Sequence, residues 1–219
     1  MSKIIPILIC IIVGYLIGGI NPAYIISRLR GFDIRKRGSG NAGASNAMIT
    51  MGKAVGVFSG LFDIAKAALC VLLARVLFPN IGYAAALAGG ACIFGHIFPV
   101  TMGFHGGKGL ACLGGMILAY NPFVFIIALA IELVLVLIID YICVVPITAS
   151  IAFPFINFAM TRDPVTTVIY CLPPIVMLFK HIENLKRIHE GKEVHFSYLW
   201  KGKKELDRVG LNEQSDEEK

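Results

Sequence analysis

The chain has 219 residues, of which 57% are apolar and only 16% charged. Soluble domains average about 45–50% apolar and about 25% charged residues, so this composition excludes a disordered chain, a coiled coil and a soluble α/β enzyme. The mean hydropathy of +0.76 and the net charge of +6 indicate one integral membrane domain, whose basic residues set orientation and meet anionic headgroups.

The apolar segments predict an all-α, polytopic membrane protein. A spanning helix needs about 20 mostly apolar residues, and such runs occupy residues 4–27, 54–78, 81–100, 123–139, 142–160 and 165–179. The first run lacks a small-residue cleavage site, which favours a retained helix over a signal peptide. A further run, residues 110–120, is too short to cross alone, and Pro173-Pro174 predicts a kink or a short helix in the last run.

The basic residues favour seven crossings over six. They cluster after the first and the last apolar runs, at Arg28, Arg30, Arg35, Lys36 and Arg37 and at Lys180, Lys186, Arg187 and Lys192. By the positive-inside rule both regions are cytoplasmic, which places the N-terminus outside and the C-terminus inside. Opposite termini require an odd number of crossings, so residues 110–120 count as the seventh. We expect one transmembrane domain over residues 1–200 and a charged, partly disordered cytoplasmic tail over residues 201–219.

The first of three polar stretches covers residues 38–46. Its glycines permit a positive φ and a close approach to a ligand, and successive backbone N–H groups in such a turn can form an anion-binding nest. Ser39, Asn41 and Asn46 add side-chain donors. The stretch also matches GxGxxG, but no strand precedes it, so we do not expect a dinucleotide site. A plain flexible loop is the alternative.

The second stretch is GHIFP at residues 95–99, followed by Gly106-Gly107-Lys108-Gly109. A lysine between glycines supplies a mobile ammonium over an open backbone, which suits a phosphate. It is not a P-loop, because the glycine spacing differs and Gly109 stands where Ser or Thr would hold a metal. The alternative is that Lys108 is an orientation charge on a tight turn. His96 suits a helix-end hydrogen bond as well as catalysis.

The third stretch is HIENLKR at residues 181–187. On a helix, His181 and Asn184 share one face, and His181 is a candidate acid, base or phosphate donor. A basic helix that binds anionic lipid is the alternative. The topology places all three stretches on the cytoplasmic side, where together they predict an anion site with a lipid-facing wall.

Metals, cofactors and nucleic acid are not expected as partners. No cytoplasmic cluster of carboxylates, histidines and cysteines is visible, so we expect no metal and no cofactor. The six cysteines lie in or beside apolar runs without a CxxC pair, which indicates small packing residues. No basic face with aromatic residues points to nucleic acid.

The order of GSGN-x-GA-S-N, GH-x-FP with GGKG, and H-x-EN-x-KR resembles the bacterial acyl-phosphate:glycerol-3-phosphate acyltransferases, the PlsY family. Asp63-x-x-Lys66 adds to the similarity, which covers most of the chain. The resemblance implies a seven-helix enzyme of the bacterial inner membrane with its active site facing the cytoplasm. It implies transfer of a fatty acyl group from acyl phosphate to the 1-hydroxyl of glycerol 3-phosphate, giving lysophosphatidic acid and phosphate. An upstream enzyme that makes acyl phosphate is then implied as well.

The resemblance also assigns roles to residues. The family's catalytic positions fall on Ser39, Lys108, His181 and Asn184. Substrate or phosphate binding falls on the loop residues Gly38, Gly40, Asn41, Gly43, Asn46, Gly106 and Gly107.

Four positions depart from the family pattern. His105 stands where a lysine often precedes GGK, and Cys112 replaces the usual threonine near the end of the second motif. Ile49 stands where the family has an arginine, and Pro146 falls where it usually has a serine. The chain is therefore either an active enzyme, in which another cation such as Lys53 replaces the arginine, or a catalytically weak or silent paralogue that binds acyl phosphate or lysophosphatidate. A small-anion or lipid transporter is the alternative from another class, because broken segments such as residues 110–120 form transporter sites. No inverted repeat is visible.

Overall fold

The computed structural model describes residues 3–211, and all regular structure in that range is helical. The helices, in chain order, are α1 (Ile4–Gly18), α2 (Pro22–Leu29), α3 (Ala44–Met51), α4 (Lys53–Leu77), α5 (Ala84–Ile97), α6 (Leu110–Tyr120), α7 (Pro122–Ile139), α8 (Val144–Thr161), α9 (Pro164–His189), α10 (Tyr198–Lys201) and α11 (Lys203–Arg208). Short 3-10 turns cover Ile34–Lys36 and Val100–Met102.

Within the described range, six segments are long and apolar enough to cross a membrane, with α1 and α2 counting as one. Helix α6 has 11 residues, a length of about 16 Å against a hydrocarbon core of about 30 Å. It still reaches the far end of the bundle, because Arg75 in the last turn of α4 donates to the carbonyls of Ala119 and Tyr120 at 2.7 and 3.2 Å. The described chain therefore passes between the two ends of the bundle seven times.

Two predicted boundaries are wrong. The first apolar run is not one helix, because Pro22 cannot donate a backbone hydrogen bond and instead begins α2. Asn21 caps that new helix by accepting from the Tyr24 N–H at 2.9 Å. The last apolar run is not short either: α9 continues through both prolines for 26 residues and ends before Gly191, whose φ is +70°.

Small residues let the helices approach closely, as expected where lipid gives helices no hydrophobic drive to associate. Gly18 in α1 lies on the Cys92 carbonyl of α5, and Gly115 in α6 lies on the Ile64 carbonyl of α4. The six cysteines are all free, and five of them are buried. Burial of these five agrees with the predicted packing role.

The chain after α9 folds back across the end of the bundle that carries the polar loops. Ser197 donates from its N–H and its hydroxyl to the two Asp140 oxygens, at 2.7 and 2.8 Å. Lys53 Nζ donates to the Leu199 carbonyl at 2.5 Å. Glu205, in the segment expected to be a tail, is only 3% exposed. Residues 212–219 of the expected tail lie outside the described residues.

Close packing at Gly115 predicts an asymmetry between two neighbouring glycines. A Cβ at Gly115 would overlap the Ile64 carbonyl, whereas a Cβ at Gly114 would meet only the Phe125 ring at 3.5 Å. Overpacking costs about 1–3 kcal/mol, while Gly→Ala in a helix gains about 0.5–1 kcal/mol. In detergent, Gly115→Ala should lower the thermal midpoint, and Gly114→Ala should leave it unchanged or raise it. Equal midpoints for the two variants would contradict this packing.

Candidate functional site

Asn46 holds the first polar stretch, here called the serine loop (residues 38–46), in one conformation. Its Nδ2 donates to the carbonyls of Ile34, Arg37 and Asn41 at 3.1, 3.0 and 2.8 Å. Its Oδ1 accepts from the Ser39 N–H at 2.9 Å, and the residue is 1% exposed. The Asn46 amide is therefore used inside the loop and supports its shape, and a contact of Asn46 with substrate stays a prediction.

The glycines of the serine loop are needed for the backbone conformation of the loop more than as N–H donors to a ligand. Gly38 and Gly40 have φ values of +57° and +72°, and a Cβ at Gly38 would overlap Asn46. The Gly40 N–H donates to the Arg37 carbonyl at 3.1 Å. Because the N–H of Ser39 is also used within the loop, the predicted nest of free amides is not present at these two residues. The half-buried side chains of Ser39 and Asn41 are the loop's remaining candidate contacts.

Arg35 joins the segment just before the serine loop to Met102, which lies between the two motifs of the second stretch. Arg35 Nη1 donates to the Met102 carbonyl at 2.6 Å, while its Nη2 lies 2.7 Å from Asp33 Oδ2. The hydrogen bond from Arg35 lowers the pKa of Asp33 to about 2. The ion pair therefore stays formed at any physiological pH and orients Arg35, whose bond to the Met102 carbonyl joins the two segments.

The second stretch forms the lysine loop (residues 103–109), which lies on the end of α5. The Gly106 N–H donates to the Ile97 carbonyl and the Gly107 N–H to the His96 carbonyl, both at 3.0 Å. These two amides therefore shape the loop, and a contact of Gly106 or Gly107 with phosphate stays a prediction. The element left to face an anion is Lys108.

Lys108 and Asn184 meet directly, as the convergence of the second and third stretches requires. Lys108 Nζ donates to Asn184 Oδ1. Burial of the ammonium lowers the pKa of Lys108 to about 8, with the positive charge of Arg187 acting in the same direction. A lysine whose pKa is lowered by burial and by a second cation is suited to bind an anion, because the anion's charge offsets both effects.

His181 and Asn184 both lie on α9 and are 4% and 7% exposed, which confirms their placement on one helix. His181 Nδ1 lies 2.7 Å from the Met177 carbonyl, so this nitrogen carries the proton and Nε2 remains free to accept a hydrogen bond. The structure therefore fixes which nitrogen of His181 can act on a substrate.

Glu193 completes this part of the site, and the sequence reasoning did not identify it. Asn184 Nδ2 donates to Glu193 Oε1, and Arg187 Nε donates to Glu193 Oε2, both at 2.6 Å. The left-handed Gly191 turns the chain back after α9 and makes these contacts possible. A glycine two residues before a carboxylate was the available signal. Glu193 therefore orients Asn184 and balances the charges of Arg187 and Lys108.

Two of the departures from the family pattern, Ile49 and Pro146, occupy different settings. Ile49 lies on α3, three residues after Asn46, and is half-buried. Pro146 is buried in the first turn of α8, where a missing N–H costs nothing. Lys53 is occupied by the Leu199 carbonyl, which argues against its replacing the missing arginine.

One group of donor atoms has a composition typical of a metal site. Asp63, His96 and Cys112 are buried with their donor atoms within 4.8 Å of one another. Lys66 Nζ lies 2.7 Å from Asp63 Oδ1 and 3.2 Å from His96 Nδ1. The ammonium therefore occupies the position that a cation would need, and these residues do not fit a metal ion.

Comparisons with known proteins agree on one family. The family model described as glycerol-3-phosphate acyltransferase matches residues 8–191. A glycerol-3-phosphate acyltransferase of Geobacter sulfurreducens is 36% identical over 86% of this chain and 97% of its own length. One of Clostridioides difficile is 32% identical over 87% of this chain and 96% of its own.

A solved structure gives the same result. The crystal structure of PlsY, an integral membrane glycerol 3-phosphate acyltransferase, in its glycerol 3-phosphate form superimposes with a TM-score of 0.81 and 31% identity, over 88% of this chain and 96% of that one. Its lysophosphatidic acid form gives 0.78 and 30% over the same shares. With the resemblance of the three motifs confirmed in this way, the chain belongs to the PlsY-type family of integral membrane glycerol-3-phosphate acyltransferases.

Proposed function

We propose that this protein transfers a fatty acyl group from acyl phosphate to the 1-hydroxyl of glycerol 3-phosphate, giving lysophosphatidic acid and phosphate. The observation that carries the proposal is the contact of Lys108 with Asn184, which joins a cation of lowered pKa to the polar end of α9. The glycerol 3-phosphate and lysophosphatidic acid forms of the solved PlsY structure support the acceptor and the product.

The reaction needs positioning and charge stabilisation more than a covalent intermediate. The 1-hydroxyl oxygen attacks the acyl carbonyl carbon, the bond from that carbon to the phosphate oxygen breaks, and the hydroxyl proton leaves on the phosphate. Phosphate is already a good leaving group, so the site's task is to align the two substrates and stabilise the charge that develops. No GxSxG motif for an acyl-enzyme nucleophile is present in the sequence.

The side chains suggest a division of roles. Lys108 and Arg187 supply positive charge for phosphate oxygens, and Ser39 adds a hydroxyl donor. His181 Nε2 accepts a hydrogen bond from a hydroxyl of glycerol 3-phosphate. The hydrogen bond from Nδ1 to the Met177 carbonyl sets the orientation of the His181 ring. Asn184 aligns Lys108. The remaining loop residues, Gly38, Gly40, Asn41, Gly43, Asn46, Gly106 and Gly107, act by giving the two loops their shape.

We further propose that this end of the bundle faces the cytoplasm of a bacterial cell, with the N-terminus outside. Lys36 is exposed beside the serine loop, and Asn80 is exposed in the connection at the other end. Cysteines placed at these two positions in separate variants should react with an impermeant thiol reagent from opposite sides. The Lys36→Cys variant should react only in inverted vesicles, and Asn80→Cys only in intact cells. Reaction of both from one side would contradict seven passes.

Removing the Lys108 ammonium should lower the catalytic efficiency with glycerol 3-phosphate. A charged hydrogen bond contributes about 1.5–3 kcal/mol, so Lys108→Ala should reduce kcat/KM for glycerol 3-phosphate by roughly ten- to 150-fold. Lys201→Ala, at an exposed position of α10, is the matched control and should have no effect. Near-normal kcat/KM in Lys108→Ala would exclude a phosphate role and restore the orientation-charge interpretation.

The pH profile gives a second measure of the same group. Because the pKa of Lys108 is lowered to about 8, the ammonium loses its proton as the pH rises through that value. The kcat/KM for glycerol 3-phosphate should therefore fall above about pH 8 in the unchanged protein. Lys108→Arg keeps its charge over this range, so its lower activity should show no such fall. A fall at the same pH in Lys108→Arg would assign the titration to another group.

Ile49 tests whether the site is weakened relative to the family. An arginine one turn beyond Asn46 could bind phosphate oxygens in a bidentate manner, which a lone lysine cannot do. Ile49→Arg should lower KM for glycerol 3-phosphate and leave KM for acyl phosphate nearly unchanged. Lys53→Ala should change neither, because Lys53 binds the Leu199 carbonyl.

Three outcomes separate the alternatives. Acyl transfer that appears only in Ile49→Arg would identify the unchanged chain as a silent paralogue. No gain in Ile49→Arg together with a raised KM in Lys53→Ala would show that Lys53 replaces the arginine. A lowered KM in Ile49→Arg alone supports a weak but active enzyme.

A further inference from the structure

Three ionisable side chains outside the proposed site form a buried cluster in the membrane-spanning part of the protein. Asp63 and Lys66 belong to α4 and His96 to α5, and their side chains are 3–4% exposed. Lys66 Nζ lies 2.7 Å from Asp63 Oδ1, and His96 Nδ1 lies 3.3 Å from the same oxygen. Ionisable residues at this depth are costly to bury, and the proposed chemistry does not use them, so they require another explanation.

The ammonium of Lys66 donates to backbone carbonyls that have lost their helical donors at the break between α1 and α2. It donates to the carbonyls of Gly18 and Ile20 at 2.8 and 2.7 Å. In a continuous helix the N–H of residue 22 would donate to Gly18, but that residue is Pro22. The N–H of Tyr24, which would donate to Ile20, donates instead to the Asn21 side chain. Lys66 therefore replaces both helical donors.

Asn21 connects the break to the serine loop. Asn21, which directly follows the Ile20 carbonyl, donates from Nδ2 to the Ala42 carbonyl at 2.8 Å. Asn21 is 3% exposed and Ala42 1% exposed, so both residues of this hydrogen bond are buried. The position of Lys66 thus determines where the serine loop is held.

His96 connects the same cluster to the lysine loop. Its backbone carbonyl accepts from the Gly107 N–H at 3.0 Å. Its ring lies so close to Gly107 that a Cβ there would overlap Nε2. The ring nitrogen Nδ1 lies 3.2 Å from Lys66 Nζ, within hydrogen-bond distance, and 3.3 Å from Asp63 Oδ1. The ring orientation that supports Gly107 is therefore set by the cluster.

We propose that Asp63, Lys66 and His96 are positioning residues that fix the separation between the serine loop and the lysine loop. The consequence for the enzyme rests on the proposed function: the two loops must stand at one distance to hold a phosphate between Ser39 and Lys108. A displacement of about 1 Å at a reacting centre can cost up to about 100-fold in rate. The cluster acts on the reaction through the loops and does not touch substrate.

The test removes the cluster without leaving a buried charge unpaired. The double variant Asp63→Asn/Lys66→Met keeps the interior neutral, because loss of one partner alone would be strongly destabilising. Glu132→Gln is the matched control. Glu132 is a buried acid on α7 that accepts from Thr148 Oγ1 of α8 at 2.7 Å to each carboxylate oxygen.

Two readouts are measured on the full chain in lipid. Pulsed electron paramagnetic resonance reports the distance between the loops. The spin labels are attached to cysteines introduced at the exposed positions Lys36 and His105, in a Cys171→Ala background. Steady-state kinetics give KM and kcat. In the double variant we expect a shifted or broadened distance distribution and a KM for glycerol 3-phosphate raised roughly tenfold or more. In Glu132→Gln both should be unchanged.

The outcomes distinguish this proposal from the proposed function. An unchanged distance distribution in the double variant overturns the positioning role, whatever happens to activity or to the thermal midpoint. A changed distribution with unchanged KM and kcat overturns the link to the reaction. If the unchanged protein transfers no acyl group, the proposed function fails, whereas a changed distribution in the double variant still supports the positioning role.

Discussion

A backbone in lipid must satisfy its own hydrogen bonds, and Pro22 prevents the first membrane segment from doing so. The Lys66 ammonium supplies the missing donors to Gly18 and Ile20, and Asp63 makes that charge tolerable in the membrane interior. Much of the polar architecture depends on this arrangement. It lets the chain turn at Asn21, and the turn directs the serine loop toward the same end of the bundle as the lysine loop.

The two glycine-rich loops show how side chains come to carry the chemistry. The N–H groups of Ser39, Gly40, Gly106 and Gly107 are all used to shape the loops. What remains for a substrate is a small set of side chains on a rigid frame, with Lys108 aligned by Asn184 and Asn184 in turn held by Glu193. Preorganisation of this kind suits a reaction whose donor is already activated.

Sequence periodicity and motif chemistry predicted the all-helical membrane fold, the helix at residues 110–120 and the placement of His181 and Asn184 on one helix. Hydropathy could not locate the break at Asn21, because the run stays apolar on both sides of it. It also placed the end of α9 at residue 179, whereas helix capping at Gly191 decides where a helix stops. Glu193 was missed, and the hydrogen bonds of Asn46 within its loop were not foreseen, because their partners depend on tertiary contacts that no local spacing encodes.

The central claim is that this site joins an activated acyl group to glycerol 3-phosphate. The most direct measurement follows purified protein in lipid vesicles with acyl phosphate, and determines phosphate release and acylated glycerol phosphate together. The account predicts that phosphate release depends on glycerol 3-phosphate and matches the formation of 1-acyl product one to one. Phosphate release that is independent of glycerol 3-phosphate, or acyl transfer from acyl-CoA in place of acyl phosphate, would contradict it.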